Sequence, residues 1–144
     1  MSKYVAIQID HIRLGNLRFR EAFKIVHAAT TEALAIAKVE AMGPYSTGYL
    51  ALTLERKVAL HGDTVIGEVG SDAYYARVAH DGARPHIIRP RRPGGKLRFY
   101  WRKVGHTVTF DYVNHPGMEG KRYLSRAVEI AGRRHRFLVF IYGH

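Results

Sequence analysis

The sequence predicts an α+β domain in which a mainly antiparallel sheet packs against a long N-terminal helix, with a short C-terminal helix and a final strand. Three observations carry this expectation. Residues 16–42 bring apolar side chains round at three- and four-residue steps through an alanine-rich run, the period of a helix with one buried face. Residues 56–69 and 97–113 each hold two β-like runs around a turn signal. FLVFIY, residues 137–142, is a continuous apolar run of strand length. At 144 residues the chain is the size of one domain, residues 1–144, and long enough to remove roughly two-thirds of its unfolded surface from water.

The elements follow in order. Val5, Ile7 and Ile9 alternate with Ala6 and Gln8, so the first is a short strand with one buried face and a partner distant in sequence. In the helix over 16–42, Phe19, Phe23, Val26 and Leu34 lie beside AATTEALAIAKVEAM. Gly43 and Pro44 stop it, because glycine takes positive φ after a helix and proline cannot continue the ladder. Its small alanines let a partner come close, either the sheet or a neighbouring subunit. In PYSTGYLALTLE, Ser46 or Thr47 is placed to cap a short helical turn, Gly48 softens the junction, and Leu50, Leu52 and Leu54 then enter extended structure.

Residues 56–60 and 64–69 flank His61-Gly62-Asp63 as a hairpin. Residues 97–101 and 107–113 form a second, with 103–106 in its turn. A second helix over 121–131 puts Tyr123, Leu124, Ala127, Val128 and Ala131 on one face and closes at Gly132. The final run requires cover: either it is central in its own sheet, or a neighbouring subunit lies over it.

Composition narrows the chemistry. With no cysteine there is neither a disulfide framework nor a thiolate metal site, which fits a reducing cytosol or a particle assembled there. The opening MSKYVAIQIDH has too short an apolar run for a signal peptide, and no stretch reaches the length of a membrane span, so the expectation is a soluble protein without a cleaved export signal. The formal net charge is +11. Through Ala76 eight Lys and Arg face eight Asp and Glu; from Arg77 onward fifteen face four, so the second half carries the whole excess. Sixteen of the 23 basic residues are arginine, the type that forks onto phosphate or carboxylate. A polyanion or an acidic protein surface is the partner such asymmetry implies.

No catalytic constellation emerges. His80, Asp81 and His86 lie close in sequence and His115 can join them in space, but no HExxH-like spacing is present and Asp81 precedes a turn glycine, so these side chains read as hydrogen-bonding rather than metal-binding. A small basic ribonuclease fits the charge, yet nothing pairs an acid with a base. There is no phosphate-binding GxxxxGK[ST], no GxGxxG after a strand and no GxSxG, so Ser46, Ser71 and Ser125 have no nucleophile context. Gly43, Gly48, Gly82, Gly117 and Gly132 read as punctuation. The expectation is no enzyme, no cofactor and no metal. One basic segment, residues 87–98, stands out as a hairpin loop: Arg89, Arg91, Arg92, Lys96 and Arg98 are interrupted by Pro90, Pro93, Gly94 and Gly95, a semi-rigid cationic finger facing DNA or a partner protein.

Three segments then carry a family resemblance. Pro44, Thr47, Gly48 and Leu50 fit Pro-x-x-Thr-Gly-x-Leu after a long helix. Tyr75, Ala76, Val78, Gly82, Arg84, Pro85 and His86 fit Tyr-Ala-x-x-Val-x-x-x-Gly-x-Arg-Pro-His, continued by Ile88 and Pro90. Val113, His115, Pro116 and Gly117 fit Val-x-His-Pro-Gly, followed by the aromatic-Leu pair Tyr123 and Leu124 opening a helix. Over residues 16–131 the chain thereby resembles the gene-ten-like tail-component, or neck, family of long-tailed bacteriophages of the lambdoid head type. Ala83 stands where that family more often has Thr or Ser, and Arg122 where it often has Pro.

The resemblance implies a virion structural protein of the head-to-tail junction, made in the host cytoplasm, without catalysis or cofactor. It implies a homo-oligomeric ring between head connector and tail, touching connector or head-closure and tail-terminator proteins, with genomic DNA in its lumen. On that reading Tyr75 and Ala76 end a strand against the core, Gly82 turns the chain, and Arg84-Pro85-His86 lead into the basic hairpin. Most of the arginines are expected to pair with acidic surfaces of neighbouring virion proteins and a few to lie near DNA. The alternatives are a basic nucleic-acid-binding module and a small ribonuclease.

Overall fold

The computed structural model describes residues 5–13, 19–43, 47–62, 64–135 and 139–143. The expected helix start over 16–18, Pro44, Ser46 and the first two residues of FLVFIY lie outside the described residues. In chain order the elements are β1 (Val5–Arg13), α1 (Phe19–Ala41), α2 (Tyr49–Thr53), β2 (Leu54–His61), β3 (Thr64–Ser71) and α3 (Ala76–Asp81). Six short strands follow: β4 (Gly82–Ala83), β5 (His86–Ile88), β6 (Leu97–Trp101), β7 (His106–Phe110), β8 (Val113–His115) and β9 (Met118–Glu119). The last two are α4 (Tyr123–Arg134) and β10 (Val139–Gly143). This is the α+β arrangement the sequence predicts, with a long N-terminal helix, antiparallel sheets and a short C-terminal helix. It divides into two compact units, residues 1–81 with 120–144, and residues 82–119.

In the first unit the alanine spacing builds the core. Ala22, Val26, Ala29, Ala33, Ala37 and Ala41 recur at three and four residues along α1, and all are buried. Ala22 and Val26 meet Val65 of β3; the later alanines meet Val69, Leu50 and Leu54 together with Leu124, Ala127, Val128 and Ala131 of α4. Because alanine adds only a methyl group, the backbones of helix and strand come close. An added Cβ on Gly67 of β3 would lie 2.0 Å from Thr30 Oγ1 and 3.0 Å from Val26 Cγ1, so only a bare backbone fits there. Thr30 itself, fully buried, turns its hydroxyl back onto the Val26 carbonyl at 2.6 Å.

The sheet of this unit is antiparallel throughout, in the order β10-β1-β3-β2. The β2–β3 hairpin turns through Gly62 at φ 66°, as the sequence indicated. The last strand pairs with β1 from Val5↔Gly143 to Ile9↔Val139. The final apolar run is thus not central in its sheet but lies at an edge.

Four expectations are corrected in detail. Leu50 and Leu52 do not enter a strand but lie in α2, where leucine and alanine are good helix formers and Leu50 and Ala51 bury against the core; only Leu54 begins a strand. The N-cap of α2 is Gly48 at φ 76° without a side-chain cap, and the Thr47 hydroxyl sits 3.5 Å from the Tyr49 amide. Tyr75 and Ala76 do not end a strand; the Ala76 amide donates to Ala73 O at 2.9 Å and opens α3. Gly132 does not close α4, which runs to Arg134 because the Glu32 carboxylate of α1 holds both Arg134 and His135.

The second unit is one antiparallel ribbon made of three ladders in series. Gly82↔Glu119 and Ala83↔Met118 are followed by His86↔His115 to Ile88↔Val113, then by Leu97↔Phe110 to Trp101↔His106. Between the second and third ladders residues 89–96 face only residues 111–112, so the basic segment is a lateral bulge and not a hairpin tip. The tip is 102–105, closed by Gly105 at φ 74° with its amide and that of Val104 both donating to Trp101 O. His106 is therefore a strand residue, and the returning strand stops at Phe110 before resuming at Val113 against β5.

Two outcomes follow. Gly67→Ala must push α1 off β3, and is expected to cost about 1–3 kcal/mol in urea unfolding, whereas Gly62→Ala strains only an open turn and costs less. Hydrogen bonds from Arg134 first, then His135, hold the Glu32 carboxyl below its ordinary value of 4.5. A depressed carboxylate stabilises above the ordinary carboxylate range and loses that contribution as pH falls through its folded value. Glu32→Gln is thus expected to cost about 1 kcal/mol at pH 7, with the difference from wild type closing as the pH of the unfolding titration drops below the carboxylate range.

Candidate functional site

The residues of the three motif segments fall into two groups. Leu50, Ala76, Tyr123 and Leu124 share the core of the first unit, where the Tyr123 hydroxyl donates to Ala76 O at 3.2 Å and burial pushes its phenol pKa up. The first two segments meet at their aromatic residues: the Tyr49 and Tyr75 rings are 6.2 Å apart, and Tyr74 lies edge-on to Tyr75. Thr47 is exposed beside Gly48.

The second group builds one crossing of the ribbon. Gly82 starts it at φ 84°. His86 and His115, 29 positions apart, are register partners with rings 5.0 Å apart and tilted by 30°. The exposed His86 donates Nδ1–H to Arg84 O at 2.8 Å, whereas His115 Nδ1 accepts from the Gly117 amide at 3.1 Å, so the two imidazoles hold opposite tautomers. Gly117, after the exposed Pro116, has φ 84°, and a Cβ on it would stand 2.5 Å from Ala83 O and 2.9 Å from the nitrogen of Pro85. Arg84-Pro85-His86 and His115-Pro116-Gly117 are thus one structural joint.

A second node joins His80 and Asp81 to Ser125, which sequence reading names only apart from them. Asp81 Oδ1 accepts from His80 Nδ1 at 2.7 Å, and His80 Nε2 accepts from Ser125 Oγ at 2.9 Å. The order carboxylate, imidazole, hydroxyl is that of an activated nucleophile. Burial and position assign it another role. His80 is 5% exposed and Ser125 8%, the Tyr123 ring lies edge-on to the imidazole at 5.4 Å, and the Ser125 amide also donates to Nε2 at 3.3 Å. Ser125 is the third residue of α4, so the imidazole satisfies a free amide of the helix N-terminus. The amides of Lys121 and Arg122 donate to Ala79 O and His80 O, completing the junction of α3 with α4. Arg122, at φ 50° and ψ 31°, takes a conformation closed to proline, which accounts for the absence of Pro at this position. Among the described residues no group of three or more His, Cys, Asp or Glu could hold a metal ion, and no helix is long and apolar enough to cross a membrane.

The ribbon carries the strongest unsatisfied surface. In the β6–β7 ladder side chains alternate: Leu97, Phe99, Trp101, Val108 and Phe110 share one face, and Arg98, Tyr100, Thr107 and Thr109 the other. Phe99 is 38% exposed, Trp101 41% and Phe110 37%. With Tyr112 and Lys103 they line a groove of 670 Å³ that also reaches His115.

Charge is distributed with equal asymmetry. Residues 82–119 hold eight Lys and Arg against Asp111 and Glu119. Four arginines of the first unit are paired, Arg77 with Asp81, Arg126 with Glu40, Arg133 with Glu129 and Arg134 with Glu32, while Arg20, Lys24, Lys38, Arg56, Lys57 and Arg122 have no carboxylate within 4 Å among the described residues. In the ribbon Lys96 pairs with Asp111 at 3.1 Å and Arg89 lies 5.7 Å over the Tyr112 ring. Among the described residues, no carboxylate comes within 4 Å of Arg84, Arg91, Arg92, Arg98, Arg102 or Lys103. Of the basic segment picked from sequence, Arg91, Arg92 and Arg98 are uncommitted while Lys96 and Arg89 are engaged locally. Sequence reading missed Arg84, Arg102 and Lys103 as members of this set; the alternation in LRFYW was the signal that placed Arg98 away from its aromatic neighbours.

No family model, curated protein or solved structure matches the chain.

If the Asp81–His80–Ser125 line is a helix cap, Ser125→Ala keeps the amide bond to Nε2 and costs about 1 kcal/mol, while His80→Ala strands two donors and costs about 1–3 kcal/mol for each. Urea unfolding of both variants measures the ordering.

Proposed function

We propose that the chain is a structural virion protein of the phage head-to-tail junction. In this reading it is a neck or tail-completion subunit that forms a ring through which DNA passes, and it docks the head connector to the tail. The observation that carries the reading is the open apolar face of the ribbon, Phe99, Trp101 and Phe110 beside Tyr112. A two-stranded ribbon is marginal in water without cover, and exposed aromatic clusters of this kind are the anchors of protein interfaces. We assign the cover to a second copy of the chain, because a face repeated on every subunit closes into a ring when the contact is head-to-tail. The edge position of β10 adds a second surface suited to a neighbour. Support from sequence is the order of the three motif segments, whose residues form the α2/α3/α4 core and the His86/His115 joint.

The subunit is made in the cytoplasm of the host and ends in the particle, held by the connector or head-closure protein on one side and the tail terminator on the other. It works by docking, with no turnover of substrate.

Mass photometry of the full chain, alone and mixed with connector and tail-terminator proteins, tests this. Wild type is expected to give a single closed multimer, on its own or on that template. Phe99→Ser with Trp101→Ser, both at exposed positions, is expected to leave the subunit folded by circular dichroism and to abolish the multimer. A chain that stays monomeric with both partners present, or a double variant that assembles as wild type does, overturns the proposal.

A further inference from the structure

We infer that the ribbon over residues 82–119 is a duplex DNA contact, gripping phosphates without reading sequence through Arg84, Arg91, Arg92, Arg98, Arg102 and Lys103. What distinguishes these six is density: all fall within residues 82–119, which hold only Asp111 and Glu119 as carboxylates, whereas the unpaired cations of the first unit, Arg20, Lys24, Lys38, Arg56, Lys57 and Arg122, are scattered among its many carboxylates. Adjacent cations such as Arg91 with Arg92 and Arg102 with Lys103 repel in water, and an external polyanion removes that cost.

Three features select nucleic acid over an acidic protein, and duplex over single strand. First, the cations run along the ribbon rather than in one cluster. Arg84 lies near its base ladder, Arg91 and Arg92 in the bulge, Arg98 in β6, and Arg102 with Lys103 at the tip. From Arg98 to Trp101 the strand covers about 10 Å, roughly three phosphates of one strand measured along the duplex axis, and Arg102 follows in the turn. Second, Tyr100, Thr107 and Thr109 share the face of Arg98 and are exposed, adding the neutral hydroxyl donors that commonly bind phosphate oxygens. A two-stranded ribbon is also of a size the major groove admits. Third, Phe99, Trp101 and Phe110 lie on the opposite face from Arg98. Single-strand binders interleave a run of stacking rings with cations; here the face of Arg98 carries one ring, Tyr100, and the Phe99, Trp101 and Phe110 cluster lies opposite. The bulge adds reach, since Pro90 and Pro93 restrain it while Gly94 bends at φ 72°.

The inference rests on the ring reading in one respect, that duplex DNA passes each copy. Its test is chosen so that the two can fail separately. A fluorescein-labelled duplex of about 30 base pairs is titrated with the full chain between 50 and 200 mM salt, and multimer mass is recorded on the same samples. Six phosphate contacts predict a log–log salt slope of about −5, a loss of roughly a thousandfold in affinity over that range, independent of base sequence. The triple variant Arg91→Gln, Arg98→Gln, Arg102→Gln is expected to bring the slope to about −3 with multimer mass unchanged. Arg126→Gln with Arg133→Gln, which removes paired cations, is expected to leave it at the wild-type value.

A flat salt response, equal losses from the paired-cation variant, tighter binding of the single strand, or displacement of the duplex by polyglutamate at matched charge would overturn the assignment. The last result would give these cations to an acidic protein. If any of these appears while the multimer persists, the DNA contact is wrong and the ring stands; if the duplex binds but no multimer forms on either template, the reverse holds.

Discussion

Close approach of α1 to β3 is the constraint on which the first unit depends. A 23-residue helix presents alanine, Val26 and the buried Thr30 where it meets the sheet, and β3 answers with Gly67 at the tightest point, against Thr30. The resulting seam is thin enough that α4, itself lined by Ala127, Val128 and Ala131, packs against the same stripe. With so little side chain on each side, shape and not bulk decides the packing, and a single methyl group at Gly67 has nowhere to go. The larger residues Leu50, Leu54, Tyr123 and Leu124 join the same core from the neighbouring elements.

From that seam the junction of α3 with α4 follows. Ala76 lies in the same core, Tyr123 reaches it with its hydroxyl, and His80 satisfies the start of α4 through Ser125. Chain leaves the first unit at Asp81 and re-enters it at Gly120, held by main-chain bonds at Ala79 and His80. Within the ribbon, the joint of His86 with His115 and the bare backbone of Gly117 fix the register of the ladders. Both joints are built of residues that look chemically eventful in sequence, and in both the polar atoms are spent on holding backbone.

What is left over belongs to the ribbon. Strand alternation sets Arg98 apart from Phe99, Trp101 and Phe110, and most of the other free cations lie in the bulge and turn, so one short hairpin offers two unlike surfaces. The first suits an apolar protein surface such as another copy; the second suits a linear polyanion. A docking subunit that also touches a polymer of charge has use for both on one element, because each face is then free of the other's desolvation cost.

The sequence by itself determined the long helix, the first hairpin, the face of α4 and the α+β class, since each is written in local periodicity or in a glycine at a turn. It also located the basic segment and the motif residues, but not their grouping. Tertiary structure alone decided that Leu50 turns in a helix, that Tyr75 and Ala76 precede one, that α4 continues past Gly132, and that the basic segment is a bulge beside 111–112 instead of a tip. It alone joined His86 to His115, lined up Asp81, His80 and Ser125, and separated committed from uncommitted arginines. The physical reason is that burial, register and most of the pairing, the i,i+4 pairs Arg77–Asp81 and Arg133–Glu129 apart, are set by residues far off in the chain, and a local pattern carries no record of which distant backbone will supply the partner.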